Sequence, residues 1–384
     1  MTTSLPQPSA EVLAHSNRLS ELIRHEITAQ GGWIPFARFM ELALYAPGLG
    51  YYSAGARKFG QQGDFITAPE LSALFGRTLA RQLIEVMQAS SPHILELGAG
   101  SGKLALDILG ELEKLGALPE SYSILEISAD LRERQQELLR KKLPHLAARV
   151  HWLDALPENI SGAVIGNEVL DALPIHLLHW TNGQILERGV ALADERFVWQ
   201  DRLPENAGLL AIAQGIDVPD GYLSEISLAA RGLLSSLCER MDKGVLLFID
   251  YGFGAREYYH PQRSQGTLMC HYRHHAHDDP FYLPGLQDIT AHVDFTAIAE
   301  AAIDHGGHFL GYTSQAHFLF NNGVMNFLGE VSPDDVKAYA PLSAQVQKLT
   351  SPTEMGELFK VIALGKGLEE PLAGFLRGDQ SRLL

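Results

Sequence analysis

The first 90 residues carry apolar side chains at the spacing of helices. Apolar residues recur every three or four positions over 11–39, with a break at Gly31-Gly32. A stretch rich in glycine and aromatic residues follows over 45–70 and is long for a simple connection. A second helical pattern occupies 71–87. We therefore predict an N-terminal helical region with a long loop over residues 1–90.

From about residue 92 the pattern changes to short apolar runs that alternate with helical segments. Helical spacing covers 104–115 and 129–142, and apolar runs of strand length occupy 93–97, 122–127, 149–152, 163–165, 245–249, 308–312 and 316–320. Strands that alternate with helices are typical of βαβ units, in which the strands run parallel. The pattern predicts a doubly wound α/β domain with a seven-stranded sheet over residues 91–320.

Two large insertions interrupt this alternation. In the first, over about 175–243, apolar segments flank Asn182-Gly183, the strongest short signal for a β-hairpin, and helical spacing returns over 222–241. The second insertion, over about 252–294, is rich in His, Tyr, Pro and Gly. The C-terminal segment 321–384 is predicted to be helical.

The chain of 384 residues is acidic, with a formal net charge of −16. This sign disfavours binding through many phosphates, so we predict no nucleic-acid partner. An acidic surface suits a cationic substrate, although acidity also serves solubility alone. The sequence has no run of roughly 18 apolar residues and no signal-peptide pattern, which predicts a cytoplasmic protein without membrane insertion.

Cysteine and histidine positions give no metal-binding pattern. The two cysteines, Cys238 and Cys270, form no CxxC pair, which argues against a disulfide framework and a cysteine-rich zinc site. The histidines of 252–294 match no standard spacing of zinc ligands, so hydrogen-bonding or surface roles are favoured. We predict no metal.

A glycine-rich segment, Glu96-Leu97-Gly98-Ala99-Gly100-Ser101-Gly102, joins a predicted strand to a helix. Glycines let the backbone turn tightly and let a ligand approach the main chain. A dinucleotide fingerprint would need glycine at position 103, which is Lys, and a P-loop would need glycine at 97 and Ser or Thr at 104, which are both Leu. Both phosphate-binding motifs therefore fail.

The carboxylate two residues before the first glycine suits a ligand with an amino group, because it would repel phosphates. The predicted ligand is S-adenosylmethionine (SAM), and the residues predicted to hold it here are Glu96, Gly98, Ala99, Gly100 and Gly102. The alternative is a glycine turn that binds no ligand.

Carboxylates also follow the next two predicted strands. Glu126, with Ile127 beside it, is predicted to accept hydrogen bonds from the cofactor's ribose hydroxyls. Asp154 is predicted to accept from the adenine amino group while Leu153 or Ala155 packs on the ring. The alternatives are a solvated carboxylate at a helix start for Glu126 and a simple N-cap for Asp154.

The fourth predicted strand of the sheet ends in Asn167 and Glu168, with Asp171 shortly after. A carboxylate can orient a guanidinium through a bidentate hydrogen bond and assist the loss of its proton. We predict catalytic roles for all three residues, with Asn167 also contacting the cofactor. For Asn167 and Asp171 the alternative is capping of the following turn.

Two further groups are predicted to meet the substrate. Residues that precede the sheet are predicted to form a lid or wall over the cofactor: Asp64, Phe65, Thr67, Pro69 and Glu70. The alternative is a packed loop. Four residues are predicted to line the channel through which the methyl acceptor enters. Asp250 and Tyr251 end the fifth predicted strand, and Asp288 and His292 are four positions apart, which would place them on one face of a helix.

Five blocks, in order along the chain, resemble the MidA-like family of class I SAM-dependent methyltransferases: 63–70 (GDFITAPE), 95–102 (LELGAGSG), 166–174 (GNEVLDALP), 249–252 (IDYG) and 288–295 (DITAHVDF). The resemblance covers most of the chain. It implies a Rossmann-like seven-stranded sheet with its last strand antiparallel, SAM as methyl donor and protein arginine as the favoured acceptor.

Mitochondrial relatives of this family methylate arginine in a respiratory complex I subunit, so the resemblance makes such a subunit a candidate partner. Two alternatives stay open, because a fold hosts many functions. One is methyl transfer to a small molecule or another side chain, and the other is a non-catalytic, SAM-binding assembly factor.

Overall fold

The computed structural model describes residues 5–54, 67–368 and 370–384. The strands of these ranges are β1 (Trp33–Pro35), β2 (His93–Leu97), β3 (Ser121–Leu125), β4 (Val150–Leu153), β5 (Ile160–Asn167), β6 (His176–Thr181), β7 (Gln184–Ala193), β8 (Arg196–Arg202), β9 (Tyr222–Ile226), β10 (Met241–Phe253), β11 (Met269–Tyr272), β12 (His275–His277), β13 (Asp288–Thr290), β14 (Val293–Asp294), β15 (His308–Ser314) and β16 (Phe359–Lys366). The α-helices are α1 (Ala10–Ala29), α2 (Phe36–Tyr45), α3 (Ala68–Leu71), α4 (Ala73–Ala89), α5 (Lys103–Lys114), α6 (Ala129–Lys142), α7 (Ala207–Gln214), α8 (Leu228–Arg240), α9 (Ala255–Tyr258), α10 (Phe295–Asp304), α11 (Gln315–Asn321), α12 (Val324–Leu328) and α13 (Val336–Thr350).

The chain divides into two compact units, each assembled from three separate stretches. The first unit contains the described residues of Met1–Phe65, Asp171–Gly232 and Arg256–His292. The second contains those of Ile66–Leu170, Leu233–Ala255 and Val293–Leu384. The described part of the N-terminal segment and most of both insertions thus belong to one unit.

The second unit is built on a mixed sheet with the strand order β15-β16-β10-β5-β2-β3-β4. Strands β2, β3, β4, β5 and β10 pair in parallel, and β16 is antiparallel to both of its neighbours. The strand order reverses at β2, so β2 and β5 border the crevice where doubly wound sheets bind ligands. The predicted fold class is confirmed, and the last strand is antiparallel as the resemblance implies.

Apolar residues on both faces of the central strands make the core of this unit. Every residue from Val245 to Ile249 in β10 is at most 1% exposed. Leu83 of α4 and Ile108 of α5 belong to the same core cluster as Ile94 of β2. Strands covered on both faces read as continuous apolar runs.

The first unit contains an antiparallel sheet of β1, β6, β7, β8 and β9 and a smaller sheet of β11, β12 and β13. The predicted turn Asn182-Gly183 joins β6 to β7, with φ of 51° and 71° as a type I′ turn requires. Leu19 of α1 and Phe39 of α2 pack in one core cluster with Val190 of β7. The predicted hairpin and the predicted N-terminal helices are therefore present.

Two predicted elements near the C-terminus are wrong. Residues 316–320 lie in helix α11, because the Ser314 side chain accepts the His317 N–H and caps a helix at this point. Residues 359–366 form strand β16, which takes the place in the sheet predicted for 316–320. Because β16 is buried along nearly its whole length, its apolar run lacks the alternation of a half-buried strand.

Two further predictions in the insertions need correction. The helix predicted over 222–241 is strand β9 followed by helix α8, because Tyr222–Ile226 pairs with β6. Asp288 and His292 share no helix face, since Asp288 begins strand β13 and His292 lies just before strand β14. Long-range strand pairing overrides local spacing in both places.

Candidate functional site

The loop between β2 and α5 has the backbone geometry of a ligand cradle. Its three glycines have φ of 62° at Gly98, 53° at Gly100 and 83° at Gly102, a region that costs other residues about 1–2 kcal/mol. At Gly102 a Cβ would lie 3.1 Å from the Gln135 side chain, so a larger residue would also crowd Gln135. At Gly100 no described heavy atom lies within 4 Å of a Cβ position, so the loop is open there.

Glu96 lies one residue before the end of β2 and is only 2% exposed. Its carboxylate accepts a hydrogen bond from the Tyr122 hydroxyl at 2.7 Å. Burial raises the pKa of Glu96 to about 7; the tyrosine hydrogen bond lowers it in part, and the Glu126 charge raises it. The carboxylate predicted to meet the cofactor is therefore poised between its charged and neutral forms near neutral pH.

Glu126 stands directly after β3 and is held in place by two donors. One carboxylate oxygen accepts the Ser128 N–H at 2.9 Å, and the other accepts Gln135 Nε2–H at 3.0 Å. Burial raises the pKa of Glu126, against these two hydrogen bonds, which lower it. The side chain is thus oriented at the carboxyl edge of the sheet, where a ribose is predicted.

Gln135 of α6 links three parts of the site, and the sequence reasoning missed it. Its side-chain amide donates to the Gly100 carbonyl at 2.8 Å as well as to Glu126, and its oxygen accepts the Trp152 indole N–H at 2.9 Å. Gln135 is fully buried. The sequence could have indicated Gln135, because it is a polar residue four positions before the apolar Leu139 and so lies on the same buried face of α6.

We expect the substitution Gln135→Leu to weaken adenosylhomocysteine binding by about tenfold, because the Gly100 carbonyl and Glu126 both lose their donor. Calorimetric titration measures the dissociation constant directly. Gln136→Leu is the matched control, since it makes the same chemical change at the neighbouring position. Equal affinities of the two variants would contradict this positioning role for Gln135.

Ile127 and Asp154 lie at the outer end of the same edge. Ile127 is 65% exposed, which leaves a large apolar side chain uncovered beside the buried Glu126. Asp154 forms an ion pair with Arg132 at 2.8 Å, and its side chain is 89% exposed. Arg132 also donates to the backbone carbonyls of Glu126 and Leu153, so it ties the ends of β3 and β4 together. Ala155 is exposed in the segment that follows β4.

Asn167 and Glu168 lie at the end of β5, next to the glycine loop. A Cβ at Gly98 would lie 3.4 Å from Val169 Cγ2, which places this turn against the loop. Glu168 has φ of 53°, and Asn167 Nδ2 donates to Glu168 Oε1 at 3.1 Å. Asn167 Oδ1 is buried and has no hydrogen-bond partner among the described residues. An acceptor atom in this position can serve a ligand.

Asp250 and Tyr251 lie near the end of β10, beside β5. The Asp250 carboxylate accepts the backbone N–H groups of Val169 and Leu170 at 3.2 and 2.9 Å. The Tyr251 ring packs edge-on against Phe359, with centroids 5.5 Å apart. The structure thus turns Asp250 toward the backbone of the Asn167–Leu170 turn, and the predicted contact with the acceptor stays a prediction.

The predicted lid is described only in part, because Asp64 and Phe65 lie outside the described residues. Thr67 is the N-cap residue of the short helix α3, and Pro69 is buried within it. The Glu70 carboxylate accepts a hydrogen bond from the Ser101 hydroxyl of the glycine loop. Of the lid residues, Glu70 therefore reaches the predicted cofactor loop directly.

Asp171, Asp288 and His292 belong to the first unit, whereas the glycine loop, Glu126 and Asn167 belong to the second. Asp288 accepts the Tyr52 hydroxyl hydrogen bond at 2.9 Å. Burial raises the pKa of Tyr52 well above its usual value, and the charges of Asp288 and Asp171 add to this effect. Burial lowers the pKa of His292 to about 4, so its imidazole is neutral at pH 7. The roles predicted for these three residues stay predictions.

The residues at the edge of the second unit fit a sulfonium nucleoside. They comprise an open glycine cradle, a buried carboxylate at Glu126, an exposed apolar side chain at Ile127 and the buried acceptor atom of Asn167. Within the described residues, no group of three or more His, Cys, Asp or Glu side chains is arranged to hold a metal ion. Fold and site together define a class I nucleoside-binding methyltransferase.

Comparison with known proteins places the chain in a family. Residues 78–313, more than half of the chain, match the model of a family of S-adenosyl-L-methionine-dependent methyltransferases. The chain belongs to this family: it is a class I SAM-dependent methyltransferase, and SAM is its cofactor. The chain is also similar to a Burkholderia thailandensis protein whose crystal structure contains S-adenosyl-homocysteine, with 51% identity, a TM-score of 0.95 and coverage of 99% of this chain and 100% of that one.

Two curated relatives carry more specific names. The protein arginine methyltransferase NDUFAF7 homolog of Drosophila melanogaster is 29% identical, over 96% of this chain and 91% of its own length. The protein arginine methyltransferase NDUFAF7 of Danio rerio is 30% identical, over 87% of this chain and 83% of its own length.

The predicted cytoplasmic location is contradicted by these relatives. Both are named as mitochondrial proteins, and so is the Mus musculus relative, which is 29% identical over 91% of this chain. Composition and the absence of an apolar run cannot distinguish compartments that are both aqueous. Among the described residues, no helix combines the length and apolar character needed to span a membrane.

Proposed function

We propose that this methyltransferase acts on a protein arginine, whose guanidinium is bound by Glu168 and Asn167. The observation that carries the proposal is the left-handed backbone of Glu168, with φ of 53°, at the carboxyl end of β5. Residues with a Cβ adopt this conformation at a cost of about 1–2 kcal/mol, and such strain clusters at functional sites. Here the strained residue carries a carboxylate and lies beside the glycine loop predicted to bind the cofactor.

A carboxylate matches a guanidinium in charge and in geometry, because its two oxygens can accept two parallel N–H hydrogen bonds. The Asn167 amide donates to Glu168 Oε1 and so restricts rotation of the carboxylate, while Asn167 Oδ1 offers a further acceptor. When bound, SAM supplies an electrophilic methyl group. Glu168 orients the acceptor nitrogen and takes the proton that this nitrogen loses on methylation.

Two further observations support an arginine acceptor. The relatives from Drosophila melanogaster and Danio rerio are named protein arginine methyltransferases. The net charge of −16 also favours a cationic substrate over an anionic one. A respiratory complex I subunit is the candidate acceptor protein that the family resemblance adds, and it is proposed on that basis alone.

Labelling with radioactive cofactor tests the proposal. We expect the purified protein to transfer tritium from methyl-labelled SAM to protein in a lysate of cells that lack it. Acid hydrolysis and amino-acid analysis should then recover the label in methylated arginine. Single purified complex I subunits, added in place of the lysate, test the named candidate.

Three results would count against this proposal. Label in methyl-lysine or in low-mass products would favour another side chain or a small molecule as the acceptor. Adenosylhomocysteine binding without labelling of any fraction would favour the non-catalytic assembly factor. Transfer that proceeds unchanged in the Glu168→Gln variant would remove Glu168 from the mechanism.

A further inference from the structure

Asp250 is a buried carboxylate that accepts hydrogen bonds from three backbone amides. It is 1% exposed, and one oxygen accepts both the Val169 N–H at 3.2 Å and the Leu170 N–H at 2.9 Å. The other oxygen accepts the N–H of Tyr251 at 2.9 Å. A carboxylate used in this way fixes the backbone around it.

The backbone that Asp250 fixes is the turn that presents Glu168. Strand β10 binds three successive amides of this turn, because Ile249 O accepts the Glu168 N–H at 2.9 Å and Asp250 accepts the next two. Successive N–H groups around a left-handed residue form a concave site for an anion. In this protein a side chain from the adjacent strand supplies the anion.

Packing connects this turn to both neighbouring parts of the site. A Cβ at Gly166 would lie 2.7 Å from the Phe248 ring, so Phe248 closes one side of the strand end. A Cβ at Gly98 would lie 3.4 Å from Val169 Cγ2, so the turn also lies close to the glycine loop. The turn is therefore confined by residues 248–250 of β10 and by the glycine loop predicted to hold the cofactor. A shift of the turn would move Asn167 and Glu168 relative to that loop.

We propose that Asp250 is a positioning residue for methyl transfer: it holds the backbone of 168–170 so that Asn167 and Glu168 face the reaction centre. This role differs from the predicted place of Asp250 in the acceptor channel, because it needs no contact with substrate. The inference rests on the proposed function of Glu168. Asp250 stabilises the strained turn by accepting the N–H groups of Val169 and Leu170.

Substitution at Asp250 should lower kcat more than it weakens cofactor binding. We expect Asp250→Ala to reduce kcat, measured with labelled SAM and the lysate acceptor, by about 30-fold. Asp250→Asn keeps one acceptor oxygen for Val169 and Leu170 but turns an NH₂ group toward the Tyr251 N–H, so its loss should be only about threefold. The dissociation constant for adenosylhomocysteine should change by less than about threefold in both variants.

Asp294→Ala is the matched control, because Asp294 also accepts two backbone N–H groups, at 3.1 and 3.2 Å, but at the start of α10. A kcat loss in Asp294→Ala equal to that in Asp250→Ala would overturn the inference, since general loosening would then explain both. A rise in the adenosylhomocysteine dissociation constant as large as the loss in kcat would overturn it too. If Asp250→Ala does not fold, the kcat of Asp250→Asn decides.

The double variant Glu168→Gln/Asp250→Ala separates this inference from the proposed function. If Asp250 acts through Glu168, the loss of kcat in the double variant should be clearly smaller than the product of the two single losses. Fully additive losses would refute that coupling. If Glu168→Gln keeps full activity, the proposed function fails. The φ angle at residue 168 in a crystal structure of Asp250→Ala with adenosylhomocysteine then tests the anchor itself, and an unchanged left-handed turn would refute it.

Discussion

Replacing Glu168 with glutamine is expected to lower kcat by about 100-fold or more, which is the usual contribution of a general base. Glutamine keeps the size of the side chain and can still accept one hydrogen bond, but it carries no charge for a guanidinium and takes no proton. Cofactor binding should change little, because the glycine loop and Glu126 are untouched. Initial rates with saturating labelled SAM measure the loss.

Glu120→Gln is the control for this experiment. Glu120 is exposed directly before β3, at the opposite end of that strand from Glu126. The control should keep wild-type kcat and wild-type affinity for adenosylhomocysteine. A Glu168→Gln enzyme that matches it in rate would show that the strained turn has a structural role only.

Replacing Glu96 with glutamine is expected to make the ligand-free protein more stable at pH 8 but not at pH 5. The pKa of Glu96 is raised from 4.5 to about 7 by burial. Between these values the folded protein binds a proton that the unfolded chain releases, so the free energy of unfolding falls as pH rises from about 4.5 to about 7. A shift of this size corresponds to roughly 3 kcal/mol as an upper bound.

Glutamine does not ionise, and its amide oxygen can still accept the Tyr122 hydroxyl, so Glu96→Gln avoids the cost of a buried charge. Urea unfolding at several pH values, without cofactor, measures the difference between the two proteins. The curves should converge as pH falls toward about 4.5 and be fully separated above about pH 7. A stability difference that is constant across this range would contradict the raised pKa.

Local signals explain which parts of the fold were predictable. Strand His93–Leu97 and helix Ala129–Lys142 have the predicted bounds, because a glycine follows the strand and Ser128 caps the helix. Strand β16 was missed because a strand buried on both faces has the same apolar run as a buried helix segment. Its pairing with β10 depends on residues more than 100 positions earlier, which no local pattern encodes.

The same distinction applies to the site. The glycine loop, Glu126 and the Asn167-Glu168 pair follow strands directly, so their position at the carboxyl edge could be inferred from sequence order. Gln135 and the backbone contacts of Asp250 depend on how separate segments meet. In the sequence, Gln135 is one polar residue within a helix and Asp250 is one acidic residue after an apolar run, and residues in such positions commonly have no functional role. Only their contacts in the folded structure indicate that they position other residues of the site.

The three-part assembly of the first unit has a consequence for how the chain acquires its structure. The Ser16 hydroxyl of α1 donates to the Pro284 carbonyl, 268 positions further along. On the ribosome, helix α1 emerges long before the second insertion, so this hydrogen bond and the packing of Ile289 into the core cluster of Leu19 and Ile23 form only after that insertion has been synthesised. Nascent chains that stop before about residue 290 should therefore be the ones that chaperones retain.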